Sequence, residues 1–250
     1  MMAIHIYLFV LGLILGSFFN VVGLSVPAGH SFANRRSACP SCGRTLTFFE
    51  LIPVFSYMLQ VGKCRSCKAR ISPLYPAVEM LTGVLFASAP IFLGWSSELL
   101  VGWILISLFM IIFVTDVAYM LIPDKILLFF IVIFIVLRFS FPLMPWWDSI
   151  VGAAVGFSLL LSIAVVSKGG MGGGDIKLFA VIGFVLGMKM VLLSLLFACF
   201  YGALLGITGL LTGILKKKTL IPFGPYIVFG TLTAYFWGDS LLHWYVTFLR

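Results

Sequence analysis

Charge is the scarcest commodity in this chain. Of 250 residues only 10% are Asp, Glu, Lys or Arg, and the acids number eight. Soluble domains carry about a quarter of their residues as charges. A chain that is 62% hydrophobic with a mean hydropathy of +1.19 therefore belongs in a bilayer. Histidine is also rare, at three residues. There is no His-Glu-x-x-His helix for a catalytic metal, and with His5 and His243 near the chain ends only His30 is left near the long polar loop, which argues against a Ser-His nucleophile. No dinucleotide fingerprint, phosphate-loop ending, internal repeat or nucleic-acid motif is found. No cationic stretch precedes the apolar run 4–26, so that run reads as a retained span and not as a cleaved signal.

Long apolar runs make up most of the remainder. Cutting at charges, prolines and glycine clusters leaves eight candidate helices, near 4–26, 74–94, 98–118, 126–142, 148–167, 176–188, 190–214 and 221–241. The fold class expected is an all-α polytopic membrane protein of about eight transmembrane helices. The boundary at Gly187-Met188-Lys189 is the alternative point: a single kinked helix across 178–214 would reduce the count to seven. With eight spans and the N-terminus outside, thirteen of the sixteen Lys and Arg residues fall in inner connections, and only Arg138, Lys189 and Arg250 fall outside. Cationic loops stay cytoplasmic. The formal charge of +8 is thus an orientation signal and an attraction to anionic membrane lipids; no nucleic-acid partner is implied.

Residues 27–73 form the one long polar loop, and they hold four of the five cysteines. Cys39-Pro-Ser-Cys42 and Cys64-Arg-Ser-Cys67 are two Cys-x-x-Cys knuckles, the spacing of a four-thiolate structural zinc site. Two disulfides or free thiols are the alternative, disfavoured in a reducing cytoplasm. Between the knuckles, 50–59 reads as a short helix lying on the membrane. Cys199, inside a span, reads as a packing residue.

Two acids remain to be explained. Asp116 ends the third span, in Val114-Thr115-Asp116, where a carboxylate costs up to about 2.5–3.5 kcal/mol at mid-bilayer and so faces a partner or a wet cavity. Asp175 follows five glycines in the six positions 169–174 and opens the sixth span, where helix capping is the competing explanation. Asp124, after Pro123, is explained by capping. The charge count places Asp116 and Asp175 at the same membrane face. Two carboxylates that meet share one proton, one serving as base toward water and the other as acid toward a carbonyl oxygen. This makes an intramembrane aspartyl protease the leading reading. A proton-coupled transporter using the same pair and a zinc-stabilised scaffold without chemistry are the competitors.

These motifs together resemble the type IV prepilin peptidases, the leader peptidase and N-methyltransferase family, and most of all its Gram-positive competence branch. The likeness rests on Gly172-Gly173-Gly174-Asp175, on Asp116 with Ile122-Pro123-Asp124, on Gly16-Ser17-Phe18-Phe19-Asn20-Val21, on the knuckles, and on Ile71 to Glu79. The resemblance implies Asp116 and Asp175 as catalytic residues, supported by Gly172, Gly174 and Lys177, which would tune Asp175 or hold the substrate. It implies zinc on Cys39, Cys42, Cys64 and Cys67, S-adenosylmethionine as methyl donor, and pilin-like precursors cut after a short basic leader at the cytoplasmic face of the bacterial plasma membrane. A methyltransferase region over 1–97 and a six-helix protease core over 98–250 would follow. Glu79 matches a family acid, while Ser25 stands where relatives commonly carry arginine.

Overall fold

The computed structural model describes residues 2–29, 37–168, 170–213 and 222–248. His30, Gly169 and Arg250, together with Arg35, Arg36 and Lys216 to Lys218 of the thirteen inner basic residues, lie outside the described residues. Among these described residues the chain is helical: α1 (Met2–Ser25), α2 (Phe55–Leu59), α3 (Leu74–Leu93), α4 (Ser97–Tyr119), α5 (Asp124–Ser140), α6 (Asp148–Val166), α7 (Gly173–Leu211) and α8 (Gly224–Phe248). The only β pairing among them is two isolated bridges. Helices α1, α3, α4, α6 and α7 are long and apolar enough to cross a membrane. The chain is a multi-pass membrane protein.

Its 39-residue α7 is two helices, because Gly187 adopts φ 82° and ψ 174°. Gly156 of α6 reports the direction of the second arm. Phe179 packs on it, and a Cβ built there would lie 3.2 Å from the Val191 side chain. In a straight helix those two partners, twelve positions apart, would be separated by about 18 Å. The arms 173–186 and 188–211 therefore fold back as a hairpin, which gives the eight-segment arrangement and excludes the single kinked helix.

A turn between two helices leaves backbone carbonyl and N–H groups without intrahelical partners. Here charged side chains from other helices satisfy them. Arg138 of α5 donates to the Val185 carbonyl from Nε at 2.9 Å and from Nη2 at 2.6 Å. Asp148, opening α6, accepts the Met188 N–H at 3.1 Å. A cation thus meets the negative end of one arm and an anion the positive end of the next. Arg138 is buried and forks onto Glu98 of α4, whose backbone carbonyl accepts the Tyr235 hydroxyl of α8 at 3.1 Å.

Without a hydrophobic drive between helices in lipid, small residues set the approach of backbones. Gly12 and Gly16 of α1 press on Gly83 and Glu79 of α3, and Gly152 of α6 presses on Gly183 and Gly187 of the hairpin. Helix α4 lies innermost, with Leu105, Ile106, Leu108, Phe109, Met110 and Ile112 fully buried. A membrane helix that is apolar on all sides and wrapped by protein is the rigid post on which Asp116 stands.

Candidate active site and metal loop

One end of the bundle collects the chemistry. Asp116 lies in the last turn of α4 and is buried, 6% exposed. Its Oδ2 accepts the Gly224 N–H of α8 at 2.7 Å. That N–H is one of the unpaired donors at a helix start, so the carboxylate caps α8 and meets its positive end. A Cβ at Gly224 would sit 2.6 Å from Asp116 Oδ2 and 2.9 Å from its Cβ.

Asp175 occupies the first turn of α7, half-buried, with Gly172 as the capping residue. Its backbone N–H bonds the Gly172 carbonyl at 3.1 Å, and a Cβ on Gly172 would lie 3.2 Å from its carboxylate. The Asp175 carboxylate also reaches back to the Gly172 N–H, so it helps to cap α7. Gly174 backs onto the loop after α4, where its added Cβ would stand 2.8 Å from Ile122 Cβ. This contact sets the start of α7 beside the end of α4, and the Asp116 and Asp175 charges act on each other electrostatically. The arrangement suits two acids sharing one proton around a water.

Lys177 does not reach back to Asp175 as its pairing partner; its Nζ bridges both Asp124 oxygens, at 2.8 and 2.7 Å. Asp124 is the first helical residue of α5, capped by Pro123 without a side-chain bond, so its role is this pair and not the cap expected from the sequence. The bond ties α5 to the first arm of α7 at the aspartate end, as Arg138 ties them at the other. Sequence reasoning missed Gly224. The signal for it was Pro222-Phe223-Gly224-Pro225, a helix start whose glycine admits a close neighbour.

The metal loop stands at the same end, since Tyr119, closing α4, donates to the Leu24 carbonyl near the end of α1 at 3.0 Å. The four sulfurs of Cys39, Cys42, Cys64 and Cys67 lie within 4.8 Å of one another. Zinc–sulfur bonds of about 2.3 Å in a tetrahedron set sulfurs about 3.8 Å apart, and Cys39 and Cys67 are 3.8 Å apart. Each knuckle closes identically: Cys39 N–H to the Arg44 carbonyl and Cys64 N–H to the Ala69 carbonyl, with the turn residues Gly43 and Lys68 at positive φ. Backbone N–H groups of Cys67 and Ser66 hold the Cys64 thiol down to about 6, and those of Cys42 and Ser41 lower Cys39. Cys67, though favoured as thiolate by the Ala69 N–H, is pushed up to about 11 by desolvation and the neighbouring sulfurs. Crowded sulfur of this kind calls for a cation. The four cysteines could hold a metal ion in a closed, structural site.

The helix expected over 50–59 is instead two pieces, a 3-10 turn Phe48–Leu51 and α2. They part at Pro53 and Val54, the latter at φ 60°. Pro53 denies the chain an N–H, and Glu79 of α3 takes the Val54 N–H at 2.7 Å. Phe48, Phe49, Met58, Leu59 and Val61 are all more than two-thirds exposed, an apolar face suited to the bilayer surface.

The family model described as "Bacterial Peptidase A24 N-terminal domain" matches residues 10–93, and that of the "Type IV leader peptidase family" matches 103–207. A protein of Bacillus subtilis (strain 168), named prepilin leader peptidase/N-methyltransferase, is 49% identical over 96% of both chains. One of the same name from Aeromonas salmonicida is 35% identical over 85% of this chain and 75% of its own. Another, from Pseudomonas aeruginosa, is 32% identical over 95% and 92%. No solved structure matches significantly.

Proposed function

We propose that this chain, which belongs to the type IV leader peptidase family, removes the leader of prepilin-like proteins as an intramembrane aspartyl endopeptidase and methylates the new N-terminus. The observation that carries the peptidase reading is that Asp116, in the last turn of α4, and Asp175, in the first turn of α7, lie at one end of the bundle close enough for their charges to interact, each without a basic partner among the described residues. One carboxylate removes a proton from water while the other donates to the scissile carbonyl; the two titrate as a unit, so neither role is fixed to one residue. The protonated partner also stabilises the oxyanion as it forms. Transport offers no comparable fit, because the paired acids sit at an end of the bundle and not along a relay through it.

In this reading the aspartate end faces the cytoplasm, where the Cys-rich loop binds zinc and the basic residues Lys63, Arg65, Lys68 and Arg70 meet anionic headgroups. The precursor's apolar helix enters from the side of the bundle. Region 1–97 would serve methyl transfer, with S-adenosylmethionine as the methyl-donor substrate, and 98–250 proteolysis. The test is mass spectrometry of a pilin-like precursor incubated with the purified, full-length enzyme. Asp116→Asn and Asp175→Asn should each lower leader removal by at least ~10³-fold while the protein stays folded; cleavage surviving in either variant refutes the pair.

A further inference from the structure

Eight acids are few enough to account for one at a time. Four have a basic partner: Glu50 with Arg44, Glu98 with Arg138, Asp124 with Lys177 and Asp239 with Lys189. Asp148 caps the return arm of α7. Three more, like Asp148, have no cation among the described residues: the two aspartates of the candidate site, and Glu79. The third is buried, 7% exposed, and nothing in the protease reading uses it.

Glu79 is not alone. The Ser17 hydroxyl of α1 stands near its carboxylate, beside Gly16, where α1 presses on Glu79. Asn20, one turn further along α1 and 1% exposed, donates to the Tyr75 carbonyl at 3.1 Å, but its Oδ1 has no partner. Gly16 admits this arrangement, since a Cβ there would lie 2.8 Å from the Glu79 Cα. Val54, whose N–H Glu79 holds, is a β-branched residue in the left-handed region, a conformation that persists where the surroundings impose it. The cluster is therefore a built concentration of oxygen acceptors around a single carboxylate. What it wants is a cation that brings several N–H donors.

A primary ammonium group brings three. We propose that Glu79, Asn20 and Ser17 form a second site that binds the α-ammonium group of the substrate's newly exposed N-terminus. This rests on the leader-peptidase reading and adds to it where the product amine goes. The position is suitable: Gly23, one turn beyond Asn20, packs on Val114 of α4, two residues before Asp116, so the cluster and the aspartate flank the same end of α1. Ser17 and Val54, at its edge, are half-buried. By taking one proton from the ammonium, the Glu79 carboxylate leaves a neutral amine, the form able to accept a methyl group. The charge on oxygen and the charge on nitrogen vanish together.

Binding of two product peptides to the full-length protein tests this without requiring methyl transfer. One carries the free N-terminus left by cleavage and the other the same sequence N-acetylated. The free peptide should bind at least ~10-fold more tightly, one ion pair's worth. Glu79→Gln keeps an oxygen for the Val54 N–H, should abolish that difference, and should leave leader cleavage within ~2-fold. Asn20→Leu removes the orphan acceptor without touching Glu79 and should reduce the difference on its own. Equal binding of the two peptides by the unmodified protein, or a preference that survives Glu79→Gln, overturns the proposal. Absence of any leader cleavage by the unmodified protein would instead sink the peptidase reading.

Discussion

At Gly224 the margin for function is a single methyl group. Its amide holds Asp116, and any side chain there meets the same carboxylate within 3 Å. Gly224→Ala should therefore displace Asp116 and cut kcat for leader removal by ~10²-fold with little change in KM, the response to a misplaced catalytic atom. Steady-state kinetics on a folded preparation decides it. A similar loss is expected from Gly174→Ala, which crowds Ile122 and moves Asp175 instead. Of these residues the sequence disclosed the acids and the glycines before Asp175, because acids in apolar runs and glycine clusters are conspicuous. It did not disclose Gly224, whose importance comes from a contact with a residue 108 positions away. Lys177 shows the converse: it stands one half-turn from Asp175 in sequence, yet its charge is spent on Asp124 of another helix.

Among the elements, the α7 hairpin concentrates stability. Gly187 combines positive φ with a flank pressed on Asp148, so Gly187→Ala adds backbone strain of about 1–3 kcal/mol to a steric clash. Arg138→Ala would leave the Val185 carbonyl and the half-exposed Glu98 without their donor, a loss of about 1–3 kcal/mol, mostly from the unsatisfied carbonyl. Both variants should unfold earlier than the unmodified protein in thermal melts in detergent, whereas Lys189→Ala, which breaks an exposed pair with Asp239, should shift the melt by less than about 1 kcal/mol. The interruption at Gly187 was readable from Gly-Met-Lys within an apolar run. The reversal of direction was likewise read there as two separate spans, but the Arg138 and Asp148 contacts that hold it, arriving from helices α5 and α6, left no mark in the sequence. In the loop, the single helix read over 50–59 passed over Pro53, and the hydrogen bond from the Val54 N–H to Glu79 that fixes the break could not be seen in the sequence.

For the whole molecule, two conditions of solution should act on the loop before they act on the bundle. Purified protein should contain about one zinc per chain. Chelation or Cys64→Ser should remove it and lower hydrogen-exchange protection across 37–70, with the membrane helices retaining theirs; a metal-free preparation with full protection there would exclude a structural metal. Acid should have a related effect through Glu50. The Thr47 N–H, opposed by desolvation and reinforced by Arg44, holds its carboxyl below the ordinary value. A lowered folded value means that the stabilisation is complete above the ordinary carboxylate range of about 4.3 and is lost as pH falls through the folded value. Exchange across 44–50 should accelerate below about pH 4, and Glu50→Gln should remove that pH dependence. The overall architecture was largely legible, since apolar runs and paired cysteines are local patterns. The convergence of α4, α7 and α8 at one end was expressed only as a charge count, since contacts between distant helices leave no periodic trace in either partner.

The arm that carries Asp175 is fastened at both extremities, by Lys177 to Asp124 and by Val185 to Arg138. Fastening of this kind turns the arm into a ruler of fixed length and phase. Each residue inserted between the two anchors would advance the helix by about 1.5 Å and rotate it by about 100°, so one anchor, or Asp175 itself, would face the wrong way. The spacing between Asp175 and Gly187 is thus as much a part of the candidate site as the carboxylates it aligns.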